Sequence, residues 1–244
     1  MGQVILFTSG KGGVGKTAVS ALTGLALARL GKKVLLLEMD SGLRGLDIVL
    51  GLEKSIVFDI SDVLKAKCEP AKAIYRSNVQ KKLFLMPASN DQLFEPYGND
   101  LIRLTKLLSK YFDYILIDSP AGFGKGFEVS LKVADAAIIV VTPDPICVRD
   151  AKVVSDIIFS NGISNTKLII NKVRKKIGKI NPIQNLDEII DITATRLLGV
   201  VADDDEIPML MSSGKIFDSN TQLNYTFLSI ASRILGAYKP LIIR

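Results

Sequence analysis

Histidine is absent from the chain, and cysteine occurs only as Cys68 and Cys147 in 244 residues. Without imidazole, two thiols make neither a zinc site nor a disulfide framework, so both cysteines are expected to be packing residues. A hard cation such as Mg²⁺, held by oxygen ligands, stays allowed. No apolar run reaches the roughly 18 residues needed to cross a bilayer. A strand-like run already opens at Val4, with no charged leader or cleavage site ahead of it. A cytoplasmic protein is therefore expected. Internal repeats, low-complexity tracts and flexible linkers are lacking too, while 48% of residues are apolar and 23% charged, so one domain with a large core is expected over residues 1–244.

The charge balance is basic, with a net charge of +6 and a pI near 9.2. That balance permits attraction to anionic lipid or nucleic acid without specifying either, and a solvated basic surface is the plainer reading. Its densest cluster is Lys172-Val173-Arg174-Lys175-Lys176, continued by Lys179. No aromatic residues interleave these charges, so the cluster does not read as a base-stacking surface.

Apolar runs recur at Val4–Phe7, Val34–Leu37, Leu83–Met86, Tyr114–Ile117, Ala136–Val141, Lys167–Ile170 and Leu198–Val201, with helix-like stretches between them. Continuous rather than alternating apolar runs suit strands buried on both faces. Their alternation with amphipathic segments predicts an α/β fold, a doubly wound and mostly parallel sheet flanked by helices. Asp59 and Ser61 read as caps of a short helix, and residues 90–100 as a loop before a Leu101–Leu108 helix. Further helices are predicted around Val148–Lys152 with surface or partner-facing residues, over Asn185–Leu197, and over Thr226–Leu235 with Gly236 as the stop. Asp203–Glu206 reads as an acidic loop on the ligand side of the sheet.

The first strand runs into Gly10-Lys11-Gly12-Gly13-Val14-Gly15-Lys16-Thr17, and Ala18 opens a helix-compatible stretch to Leu30. Strand, glycine loop and helix in that order match the phosphate-binding pattern G-x-x-x-x-G-K-S/T. Backbone N–H groups near the glycines and the N-terminus of the following helix surround phosphate oxygens. In that motif Lys16 reaches the β- and γ-phosphates and the Thr17 hydroxyl ligates Mg²⁺.

Other strand ends carry polar residues on the same side. Asp118 closes the Tyr114–Ile117 run in the Walker B arrangement, where its carboxylate reaches the Mg²⁺ shell, and Gly122 beyond it can offer an N–H to the γ-phosphate. Asp40, past the Val34–Leu37 strand, is either a carboxylate that positions water or contacts Mg²⁺ through water, or a helix-cap or turn aspartate. Asn171 is either an adenine-edge partner or a strand-terminating residue.

With Lys11 directly after its first glycine, the loop resembles the deviant Walker A motif of the ParA/MinD ATPases. Asp40-Ser-Gly-Leu-Arg-Gly-Leu-Asp47 followed by Gly51-Leu-Glu53, Asp118-Ser-Pro-Ala-Gly122, Val148-Arg-Asp150 and Gly199-Val-Val make it most similar to the MinD branch, which acts in division-site placement. The resemblance extends from the first strand to about Leu241. It implies a P-loop NTPase fold of the SIMIBI type and a slow Mg²⁺-ATPase that dimerises when ATP is bound, with Lys11 of each subunit reaching the phosphates of the other. It also implies that Lys16 and Thr17 bind phosphate and metal, Asp40 positions water, Asp118 supports the metal and Asn171 contacts adenine.

MinC- and MinE-like regulators are the partners implied, although Lys152 stands where the family commonly has an acid on the MinC-facing side. Glu38 replaces a frequent Asp, and Ala202 a frequent Pro. Peripheral membrane binding is implied only with a lysine- and aromatic-rich amphipathic C-terminal segment, where this sequence reads Lys239 to Arg244. The alternative function within the resemblance is a ParA-type partition ATPase or flagellar-number regulator that holds DNA or another assembly. A small-molecule phosphotransferase is a third reading, and it has no use for Lys11.

Overall fold

The computed structural model describes residues 1–41, 44–91, 94, 98–174, 186–204, 207 and 222–241. Its elements are β1 (Gln3–Thr8), α1 (Lys16–Arg29), β2 (Val34–Glu38), α2 (Leu46–Val49), α3 (Ile60–Leu64), β3 (Tyr75–Arg76), β4 (Leu83–Met86) and α4 (Gly98–Leu108). They continue with β5 (Tyr114–Asp118), α5 (Lys125–Leu131), β6 (Ala136–Val141), α6 (Pro145–Ser160), β7 (Thr166–Val173), α7 (Leu186–Thr193), β8 (Arg196–Ala202) and α8 (Gln222–Ile234). The strands form one sheet in the order β3-β4-β2-β5-β1-β6-β7-β8, as the α/β reading predicts. All pairings are parallel except the edge pair β3–β4.

Every residue of β2 and β6 is buried, and so is β1 from Val4 onward. Strands covered on both faces have no polar side to alternate with, which accounts for the unbroken apolar runs. Helix α1 is likewise buried at every residue from Ala18 to Ala28, because α8 packs over the side turned away from the sheet. The Arg29 Nη1 to Asn224 Oδ1 hydrogen bond, 2.6 Å, ties the two helices. Close packing selects small residues here: a Cβ on Gly24 would meet a Leu36 methyl at 2.9 Å.

Several element boundaries differ from those the pattern predicts. The helix expected over Asn185–Leu197 stops at Thr193, since Ala194 takes φ +49° and β8 begins at Arg196. Thr193 and Thr195 hydroxyls donate to the Ile189 and Thr193 carbonyls, local bonds that compete with a further helical turn. Helix α8 starts at Gln222, ahead of Thr226, and ends at Ile234 before the left-handed Gly236. Helix α4 starts at Gly98 rather than Leu101. Strand β3, only two residues long, has no periodicity to betray it. Asp59 caps α3 in a capping box with Asp62, as expected, whereas Ser61, expected as a second cap, lies inside the helix and its hydroxyl donates to Asp59 Oδ1 at 2.6 Å. The expectations for Gly42, Leu43, parts of the 90–100 loop, Lys175, Lys176, Lys179, Asp205, Glu206 and residues 242–244 lie outside the described residues.

From β1 the chain crosses to β2 on one side, and from β5 it passes β1 to reach β6 on the other. The carboxyl end of β1 is therefore the point where the winding reverses, the usual ligand crevice of such sheets.

Candidate functional site

Three strands finish at one level beside that crevice. Phe7 of β1 and Glu38 of β2 are both in register with Asp118 of β5, and the Met39 N–H donates to the Asp118 carbonyl at 2.9 Å. The glycine loop, the Asp40 segment and the Gly122 turn thus spring from neighbouring strand ends.

Within the loop, Gly13 and Gly15 have φ +79° and +89°, the left-handed region that penalises a Cβ. Gly15 is the N-cap of α1 and no side chain caps that helix, which leaves its first N–H groups directed toward an incoming anion. Val14 anchors the loop in the core, and the Ser9 hydroxyl donates to the Lys11 carbonyl at 3.0 Å.

The loop's last residues meet Asp118. Lys16 Nζ lies 2.6 Å from Asp118 Oδ1, and Thr17 Oγ1 donates to Oδ2 at 2.7 Å. Both Lys16 and Asp118 are buried, so each charge depends on the other for the solvation it has lost. Asp40 is close enough to feel both. Burial raises its carboxyl above the usual range, Lys16 pulls it down, and Asp118 pushes it further up.

Glu38 is a site residue that sequence reasoning noted only as a replacement for Asp. Its Oε1 accepts the N–H groups of Gly45 and Leu46 at 2.7 and 2.9 Å, and its Oε2 accepts Ala88 N–H at 3.3 Å. The carboxylate thereby holds the chain returning from the Asp40 segment against the end of β2. Burial pushes its carboxyl up to about 7, partly offset by those three N–H donors, with Asp118 adding to the rise. An acid closing the buried run Val34-Leu35-Leu36-Leu37 was the available signal.

Asn171 reaches the loop from β7. Its Nδ2 donates to the Val14 carbonyl at 2.8 Å, while Oδ1 is buried and has no partner. One N–H of the amide is spent on the loop, so Oδ1 and the second N–H are what it can offer a base edge. Gly122 N–H donates to the Ser9 carbonyl at 3.0 Å, because its left-handed turn folds back on the end of β1. Lys11 lies on the rim with its ammonium 4.0 Å from the Asp144 carboxylate. Asp144 also caps α6 through the Cys147 N–H, which holds its carboxyl below the usual range, helped by Lys11. On α6, Lys152 pairs with Asp156 one turn away, and Asp203 pairs with Arg174 at 3.1 Å.

The chain resembles known proteins in sequence and in fold. The sequence model of a family described as an AAA domain matches residues 2–170. The septum site-determining protein MinD of Bacillus subtilis is 38% identical over 246 residues, covering 99% of this chain and 92% of that protein. Among solved structures, the MinC:MinD cell division complex of Aquifex aeolicus superposes with a TM-score of 0.91 at 35% identity, over 99% of this chain and 98% of that one. MinD of Pyrococcus horikoshii in complex with Mg-ADP gives 0.86 at 26% identity, over 96% of both chains.

Proposed function

The chain belongs to the MinD family of septum site-determining ATPases, and on that premise we propose that it is a Mg²⁺-dependent ATP hydrolase whose ATP-bound homodimer acts in placing the division septum. The observation that carries this reading is the meeting of Lys16, Thr17 and Asp118 where the glycine loop leaves the sheet. Thr17 and Asp118 offer hard oxygens 2.7 Å apart, the donor set Mg²⁺ takes when substrate phosphates and water complete its shell. When bound, that ion neutralises charge on the phosphate oxygens.

The remaining roles belong to the chain itself. Gly10, Lys11, Gly12, Gly13, Val14, Gly15 and Ala18 surround the phosphates with backbone N–H groups, and Lys16 exchanges Asp118 for phosphate oxygen. Asn171 Oδ1, buried without a donor, accepts from the adenine amino group. Asp40 orients the attacking water. Gly122 must release the Ser9 carbonyl before its N–H can face a γ-phosphate, so the two contacts distinguish nucleotide states. Lys11 is half-exposed, with only a 4.0 Å contact to Asp144, and is suited to serve a second subunit.

The likeness to the Aquifex MinC:MinD complex supports a MinC-type partner, and Lys152→Glu tests whether the α6 face carrying this cation is where it docks. No described helix is long and apolar enough to cross a membrane; the membrane contact proposed is peripheral. Co-sedimentation with anionic liposomes in ATP tests it, while ATP-dependent, strongly salt-dependent DNA binding would point to the partition type instead.

The deciding experiment is the molar mass in Mg-ADP and then in Mg-ATP. A monomer that becomes a dimer only with ATP is expected, and a mass indifferent to nucleotide overturns the switch.

A further inference from the structure

We propose that Lys172, acting with Asn171, is a positioning residue that turns the N–H groups of Val14 and Gly15 into the phosphate cradle. The inference rests on the nucleotide-binding role of the glycine loop given above. Strand β7 is irregular, its pairing with β8 slipping between Ile170 and Val173. Inside that slip Lys172 adopts φ +57°, a left-handed conformation unfavourable for a residue with a Cβ.

The slip changes where two side chains go. In a regular strand consecutive residues point to opposite faces, so Asn171 and Lys172 could not both reach the same loop. A bulge re-aims side chains, and here both arrive at consecutive carbonyls. Asn171 Nδ2 donates to the Val14 carbonyl and Lys172 Nζ to the Gly13 carbonyl, each at 2.8 Å. Gly15 lies between them: a Cβ there would be 2.4 Å from Asn171 Nδ2 and 3.9 Å from Lys172 Cε.

Peptide planarity converts these bonds into an orientation. No peptide in the described chain is cis, and in a trans peptide C=O and N–H point in opposite directions. Fixing the Gly13 carbonyl toward Lys172 directs the Val14 N–H the other way. Fixing the Val14 carbonyl toward Asn171 does the same to the Gly15 N–H. Both donors then face the side on which phosphate binds. Two glycines make this segment free to rotate its peptides, so the carbonyls need fixing if the cradle is to exist before the ligand arrives.

The Lys172 bond contributes little to folding, because the ammonium is exposed and the acceptor neutral. A left-handed lysine kept for such a bond is explained by what the bond does to the loop.

The test uses the full chain, with Mg-ADP affinity measured by calorimetry and unfolding measured without nucleotide. Lys172→Met keeps the stem and removes the donor, and should weaken ADP about 5-fold while kcat at saturating ATP stays within about 2-fold. Lys172→Arg reaches the same carbonyl and should restore ADP affinity to within about 2-fold of the original. Lys172→Gly relieves the left-handed backbone but loses the donor, so nucleotide-free stability should hold or rise while ADP affinity falls. A purely structural lysine would lose both together, and that result overturns the proposal. So does a Lys172→Met protein that binds ADP like the parent. Failure of ATP to dimerise the parent, with the ADP effects intact, overturns the switch and leaves this role standing.

Discussion

The ammonium of Lys16 and the carboxylate of Asp118 are 2.6 Å apart, with 6% and 1% of their side chains exposed. Without nucleotide, each is the other's charge partner. Asp118→Ala leaves a buried cation unpaired and should destabilise the nucleotide-free protein by about 3–5 kcal/mol in urea unfolding. If Lys16 binds phosphate as proposed, saturating ADP replaces the lost carboxylate and part of the deficit should be recovered with ligand. Parental stability of the variant in nucleotide-free buffer would show that the pair does not carry this energy.

Lys11 and Asp144 have side chains 47% exposed and approach to 4.0 Å, an ion pair too open to be worth much. In the proposed ATP-bound dimer the lysine leaves it for the partner's phosphates. Lys11→Ala should bind Mg-ADP within about 2-fold of the parent yet lose ATP turnover by about two orders of magnitude or more, as loss of a finger-type cation does. Normal turnover would sink the trans role.

Asp40 is half-buried and sensed by both Lys16 and Asp118, and among the described residues no hydrogen bond holds its carboxylate. Asp40→Ala should bind ATP and accumulate as the dimer, with hydrolysis lowered by about 10² or more. Chromatography in saturating Mg-ATP checks this, and a monomer there argues against water positioning.

Glu38 makes stability depend on pH. Its carboxyl titrates at about 7 in the folded chain against 4.5 as an ordinary glutamate. A raised folded value means that its contribution is complete below pH 4.5 and is lost as pH rises through 7. The loss amounts to about 3 kcal/mol. Urea unfolding at pH 5 and pH 8 should show that drop, and Glu38→Gln should remove most of it. Asp40 is raised in the same direction and stays in the variant, so an unchanged drop would exonerate Glu38.

Legibility in the sequence followed the range of the interaction. Lys16 and Thr17 could be proposed as phosphate and metal partners because the loop, the strand before it and the helix after it are contiguous, and a backbone cradle needs no distant partner. Asp118 could be assigned because an acid ending a buried strand has few other uses beside such a loop. The end of α7 was misplaced because one left-handed residue, Ala194, outweighed a helical pattern. Glu38 and Lys172 were passed over for a different reason. Each is an ordinary charged residue until its partners are known, and those are Ala88 for the one and Gly13 for the other.

By itself, then, the sequence determined the phosphate loop, the parallel sheet beneath it and, through Lys11, the expectation of a shared site. These depend on local backbone chemistry and on apolar runs that only a doubly covered sheet can bury. Tertiary structure alone decided which side chains hold that loop open and which acid is forced to titrate near neutrality. Both depend on desolvation and on hydrogen bonds between strand ends far apart in the chain, and no spacing along the sequence encodes that proximity.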